Sequence, residues 1–148
     1  MSREYPDRPF VGVGVVVCRD GQVLLIRRGR PPRVGQWSLP GGGQILGETV
    51  EETARREVLE ETGLQLGEIR LLTVVDLIEP DAAGRVRYHY TLVDFVAEAL
   101  LGEARPGDDA AAVAWHRPEE LETLGLWSET IRIIGLALAR LPLAHPPA

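Results

Sequence analysis

Hydrophobic and polar positions in this chain change period several times, and each change marks an element. Phe10 to Cys18 are apolar and largely β-branched, and Gln22 to Arg27 repeat that character after the turn pair Asp20-Gly21, which predicts a β-hairpin. Gly29 to Gln36, rich in Gly, Pro and Arg, predicts an irregular surface loop, and Trp37 to Pro40 a short strand-like entry into Gly41-Gly42-Gly43. Over Glu48 to Thr62 the period becomes helical. Thr49 with Glu52 forms a capping box at its start, and Gly63 is placed to end it in a left-handed conformation. Ile69 to Glu79 and Val86 to Glu98 predict long strands joined by the turn-like PDAAGR, and Ala111 to His116 a shorter one. A second helix is expected from Ser128 to Leu141, stopped by Pro142, with 142–148 frayed beyond it. Strands on both sides of a central helix, with another helix at the end, predict an α/β fold: an α/β/α sandwich with a mixed β-sheet between helices.

At 148 residues the chain suits one hydrophobic core, so a single domain over 1–148 is expected, with its ordered part at about 8–141. The composition, 45% hydrophobic and 26% charged, is that of a globular protein. No apolar run approaches the roughly 20 residues of a membrane span, and the charged, proline-broken start does not read as a leader, so a cytoplasmic location and no membrane partner are expected. The formal charge of −6 argues against a nucleic-acid partner, which calls for a basic surface. The lone Cys18 lies in an apolar run and reads as a packing residue. All 16 basic residues are arginine, which excludes Schiff-base chemistry and the lysine-dependent phosphate loop. Any phosphate must then be gripped by arginine, backbone amides or metal.

In helical projection, Glu57 set at zero puts Glu60 at roughly −60° and Glu61 at roughly +40°, so three carboxylates share one side. Val50, Ala54, Val58 and Thr62 form the adjoining stripe that would face the sheet. A Glu-rich helix is often no more than a solvated face with arginine partners. The glycines at 41, 42, 43 and 47 weigh against that here, because they let backbone approach closely and present carbonyls and amides beside the acids. A cluster of oxygen ligands suits Mg²⁺ or Mn²⁺ rather than zinc. Arg56, four residues before Glu60 and four after Glu52, is spaced to orient a carboxylate by an ion pair.

Gly42, five residues, Glu48, seven residues, then Arg56-Glu57-Val58-x-Glu60-Glu61-x-Gly63-Leu64 fills every fixed position of the Nudix box, and the chain resembles the Nudix hydrolases. The apolar first strand, VLLIRR and the Gly-x-Trp-x-x-Pro-Gly-Gly entry are similar to that family too, with small ADP-ribose pyrophosphatases the best likeness. The resemblance implies that Glu57, Glu60 and Glu61 bind catalytic divalent ions, with a carbonyl of Gly41 or Gly42 as a further ligand. It also implies that Glu48 is a supporting acid and that Arg56 orients a ligating Glu. Ile45 and Leu46 depart from the family, in which Glu and Pro are common at those positions.

The implied reaction is attack by water on a diphosphate, with Mg²⁺ (or Mn²⁺) neutralising the charge. Glu57, Glu60 and the loop acids Asp108 and Asp109 remain alternatives for the general base. Arg27 could reach a phosphate or make a surface ion pair, and Trp37 could stack on a base or simply pack. Tyr88 and Tyr90 would share one strand face, with His89 on the other; His116 and His145 carry no site signal. The expected ligand is a small nucleotide: a nucleoside diphosphate sugar such as ADP-ribose, or alternatively a nucleoside triphosphate cleaved to pyrophosphate. A non-catalytic ligand-binding regulator of the same fold is disfavoured by the complete box. A homodimer stays open.

Overall fold

The computed structural model describes residues 3–30, 33–107 and 109–141. The expected frayed tail, 142–148, with His145, lies outside the described residues, as does Asp108. Strand β1 (Phe10–Arg19) and β2 (Gln22–Arg28) form the predicted hairpin, with Asp20 and Gly21 at φ 51° and 76° in the turn. Their pairing holds only over Val17–Arg19 with Gln22–Leu24. Beyond it the two strands diverge, and the wedge between them is filled by β3 (Trp37–Ser38) on β2 and β4 (Gly41–Gly43) on β1.

The glycine run, for which the sequence pattern predicts no strand, forms β4. Three glycines have little strand propensity, but here backbone contact rather than side-chain fit decides. A Cβ on Gly41 would lie 1.9 Å from the carbonyl oxygen of Val13, so only glycine can sit in the wedge at that point.

Helix α1 (Val50–Thr62) follows, with Thr49 as its N-cap and the reciprocal Thr49–Glu52 capping box intact. Glu48, expected inside the helix, precedes the cap. The last turn is closed by Gly63 at φ 74° and by the loop before the final strand, where Arg105 and Gly107 donate backbone N–H groups to the carbonyls of Thr62 and Glu61 at 2.8 and 2.9 Å. Strand β5 (Leu66–Pro80) pairs antiparallel with β6 (Val86–Ala99), β6 runs parallel to β1, and β7 (Ala110–His116) pairs antiparallel with β2. A 3-10 helix at Pro118–Thr123, absent from the sequence reading, leads into α2 (Ser128–Leu138), which ends three residues before the predicted limit.

Strand alternation sends β1 side chains to two cores. Val13, Val15 and Val17 pack with Leu24, Ala54 and Val58 beneath α1. Val16 and Cys18 pack with Val23, Leu25, Ile133 and Ile134 beneath α2. The seven-stranded mixed sheet is therefore covered on both faces, as predicted. Cys18 is 3% exposed, and burial pushes its thiol up to about 11, consistent with a packing role.

A Cβ on Gly107 would stand 1.9 Å from the carbonyl oxygen of Glu60, so this loop docks on α1 only because residue 107 has no side chain. Gly107→Ala should cost about 1–3 kcal/mol by overpacking, read as a lower urea midpoint. An unchanged midpoint would contradict the docking.

Candidate active site

The capping box leaves Glu48 just before the helix, folded back onto it. Its carboxylate accepts from Nε and Nη2 of Arg56 at 2.7 and 3.0 Å, from the Thr53 hydroxyl at 2.7 Å and from the Ile45 amide at 3.1 Å. The Arg56 guanidinium, helped by the Thr53 hydroxyl, holds this carboxyl down at about 2. Arg56 also donates to Glu57 at 2.8 Å, to Glu60 at 3.3–3.4 Å and to the Gly43 carbonyl at 3.1 Å. Glu52, spaced to reach Arg56, is instead held in the cap. One guanidinium thus ties three carboxylates and the glycine strand together.

Glu57 and Glu61 face β4. A Cβ on Gly42 would fall 2.4–2.7 Å from the Glu57 carboxylate, so glycine at 42 is what admits that acid. Glu61 lies 3.4 Å from the Gly41 amide, a long contact. Burial pushes the Glu61 carboxyl up to about 8, and the Glu57 charge with a hydrogen bond to Glu57 adds to this; the Gly41 amide and Arg28 oppose it. Glu60, at 57% side-chain exposure, is the open member of the three.

No three His, Cys, Asp or Glu side chains among the described residues converge as a ready-made metal cage. Arg56 donates to Glu48, Glu57 and Glu60, while burial and the Glu57 charge push the Glu61 carboxyl up. The donor set nonetheless fits a hard divalent cation: every ligand offered is oxygen, on one helix face, against backbone that has no side chain to intrude. Such a cation would be held by Glu57, Glu60 and Glu61, with the Gly41 carbonyl beside them.

The other side of β4 opens on a cavity of about 460 Å³. Gly41, Gly42 and Trp37 line it, as do Tyr88 and Tyr90, which share a strand face as the alternation predicted. Arg27 is not among its walls and sits 5.9 Å from the Trp37 ring, whereas Arg28 is among them. Trp37 also meets His116 edge-on at 5.1 Å. Asp109 is two-thirds exposed and ion-paired to Arg30 at 2.8 Å, and it is not among the cavity walls. The sequence reading also passed over Asp94 on β6, a cavity-lining acid that is 4% exposed; an acid inside TLVDFVA was the available signal.

The capped acidic helix lies against the glycine strand with a cavity of small-molecule size behind it. The NUDIX domain model matches residues 8–134, and the chain belongs to the Nudix family of hydrolases, whose members generally use divalent metals. An ADP-ribose pyrophosphatase from Methanocaldococcus jannaschii is 36% identical over 123 residues, covering 83% of this chain and 70% of that protein. The nucleoside triphosphatase NudI of Escherichia coli O17:K52:H18 is 36% identical over 137 residues, 82% of this chain and 96% of that one. Two other curated relatives are longer, the chain spanning 50% and 63% of their lengths. Among solved structures, the NUDIX domain of Shewanella oneidensis NrtR, complexed with ADP ribose, superposes with a TM-score of 0.76 at 25% identity, covering 91% of this chain and 90% of that domain.

Because the Glu61 carboxyl rises from 4.5 to about 8 on folding, its contribution to stability is complete below pH 4.5 and is lost as pH rises through 8. With chelator present, Glu61→Gln should therefore raise the melting temperature at pH 8.5 by at least about 3 °C and leave it unchanged near pH 4.5. Equal shifts at both pH values would contradict the assignment.

Proposed function

We propose that this chain hydrolyses the diphosphate linkage of a nucleoside diphosphate derivative, with ADP-ribose as the first substrate to test, using Mg²⁺ or Mn²⁺. The observation that carries the reading is the thinness of β4: acids of α1 press on one side of the glycines, and the other side lines a cavity of nucleotide size. The names of the archaeal relative and of the ADP ribose complex support the choice of ADP-ribose.

In this reading Glu57, Glu60, Glu61 and the Gly41 carbonyl hold the cation, and Glu48 and Arg56 are positioning residues. The cation, when bound, neutralises the diphosphate oxygens and acidifies water. Gly42 allows the ligand close to the backbone, Trp37 flanks it, and Arg28 rather than Arg27 faces a phosphate. Water adds to one phosphorus, the bridging P–O bond breaks, and the proton passes to a carboxylate of α1. Glu60 is best placed for this because it is open to solvent, whereas Asp109 is engaged by Arg30. The products from ADP-ribose are AMP and ribose 5-phosphate. The chain works as one domain on a small nucleotide, and no described helix is long and apolar enough to cross a membrane.

A second reading, a nucleoside triphosphate pyrophosphatase, is favoured by the equal identity to NudI. Product analysis by mass, with ADP-ribose and with nucleoside triphosphates in Mg²⁺, decides between them. AMP with ribose 5-phosphate supports the first; a monophosphate with free pyrophosphate, and no turnover of ADP-ribose, supports the second. In either case Glu60→Gln should cost at least about a hundredfold in kcat, since even residues that merely support a metal ligand cost 10–100-fold. Unchanged turnover in that variant would remove the α1 acids from the chemistry.

A further inference from the structure

Along β6, Tyr88, Tyr90, Leu92 and Asp94 share the face that forms the cavity wall, and burial deepens along the row until Asp94 is 4% exposed. Small and apolar residues lie close to Asp94, and Arg132 and Glu129 of α2 act on it electrostatically. Gly14 and Leu39 lie beside it, a Cβ on Gly14 falling 2.5 Å from its Oδ1, and Trp127, Thr130 and Ile133 of the α2 region close the same cavity. Its Oδ2 is buried with no hydrogen-bond partner among the described residues.

A buried carboxylate oxygen without a donor is costly, and native folds rarely keep one without a use for it. Packing does not explain it. Leu or Val in this β6 row would continue the apolar strand without the desolvation cost, and glycine at 14 clears space for the carboxylate in particular. Burial pushes the carboxyl up to about 6 from its usual 3.8, with Arg132 opposing that rise and Glu129 adding to it, so above neutrality it is an acceptor waiting for donors.

We propose that Asp94 is the residue that reads the nucleobase: its carboxylate accepts hydrogen bonds from an amino N–H on the edge of a purine ring lodged between the apolar and aromatic walls. This deepens the proposed function, since it places the base of the nucleotide at the Asp94 end of the cavity and leaves the phosphates to the glycine strand and Arg28. An amino-bearing base satisfies the orphaned oxygen, and a base without N–H leaves it buried and unpaired. Selection against the donorless base follows from that asymmetry.

The test is calorimetric binding at pH 7.5 of AMP and of purine riboside 5′-monophosphate, which differs only in lacking the amino group. Wild type should bind AMP about ten- to a hundredfold more tightly, the range for a charge-assisted hydrogen bond. Asp94→Leu should bring the two affinities within about threefold of each other by weakening AMP alone, and Asp94→Asn, which keeps the volume and one acceptor oxygen, should fall between. Wild type that binds both nucleotides equally overturns the inference even if Asp94→Leu fails to fold. Discrimination that survives in Asp94→Leu overturns it too. The outcome is separable from the proposed function: equal binding alongside ADP-ribose hydrolysis sinks only the base reading, and clear discrimination without hydrolysis of ADP-ribose sinks only the substrate assignment.

Discussion

The constraint on which this structure depends is the absence of side chains at residues 41 and 42. Backbone at Gly41 runs so close to Val13 that a methyl group would overlap its carbonyl, and Gly42 gives the Glu57 carboxylate the space a Cβ would take. The wedge between diverging hairpin strands can be filled only by a strand this slim. Because it is slim, the acids of α1 and the cavity under α2 are neighbours through a single layer of backbone.

Electrostatics follows from that geometry. Glu57 and Glu61 are pressed together against β4, and with Glu48 and Glu60 nearby the fold must offset several negative charges within one turn or two of helix. Arg56 does most of this, bridging Glu48, Glu57 and Glu60 while its other arm grips the Gly43 carbonyl. Burial and the neighbouring Glu57 charge push the Glu61 carboxyl up, which favours its neutral form.

Much of this was legible in the chain. The hairpin, α1 with both its caps, and the long β5–β6 pair were written in turn residues, capping boxes and apolar period, all of which act over a few residues. What escaped the reading acts at a distance. β4 has no strand propensity and exists because β1 leaves room for it; the register shift between β2 and β7, which skips Ala111, arises only in the pairing of the two strands. No local pattern marks Gly107, whose missing side chain lets a loop lie on the end of α1. The Nudix box located the acids without showing how Glu48 holds Arg56, and chain position alone did not show that Asp109 pairs with Arg30 at the surface.

The account stands or falls on whether the carboxylates of α1 bind a divalent cation against the glycine strand. The most direct measurement is a crystal structure with Mn²⁺ and a non-hydrolysable ADP-ribose analogue, using anomalous scattering to locate the ion. The account predicts an anomalous peak within about 2.0–2.3 Å of oxygens from Glu57, Glu60 and Glu61, with the diphosphate beside it. Clear density for the analogue with the ion elsewhere, and Arg56 still gripping all three of its carboxylates, would contradict it.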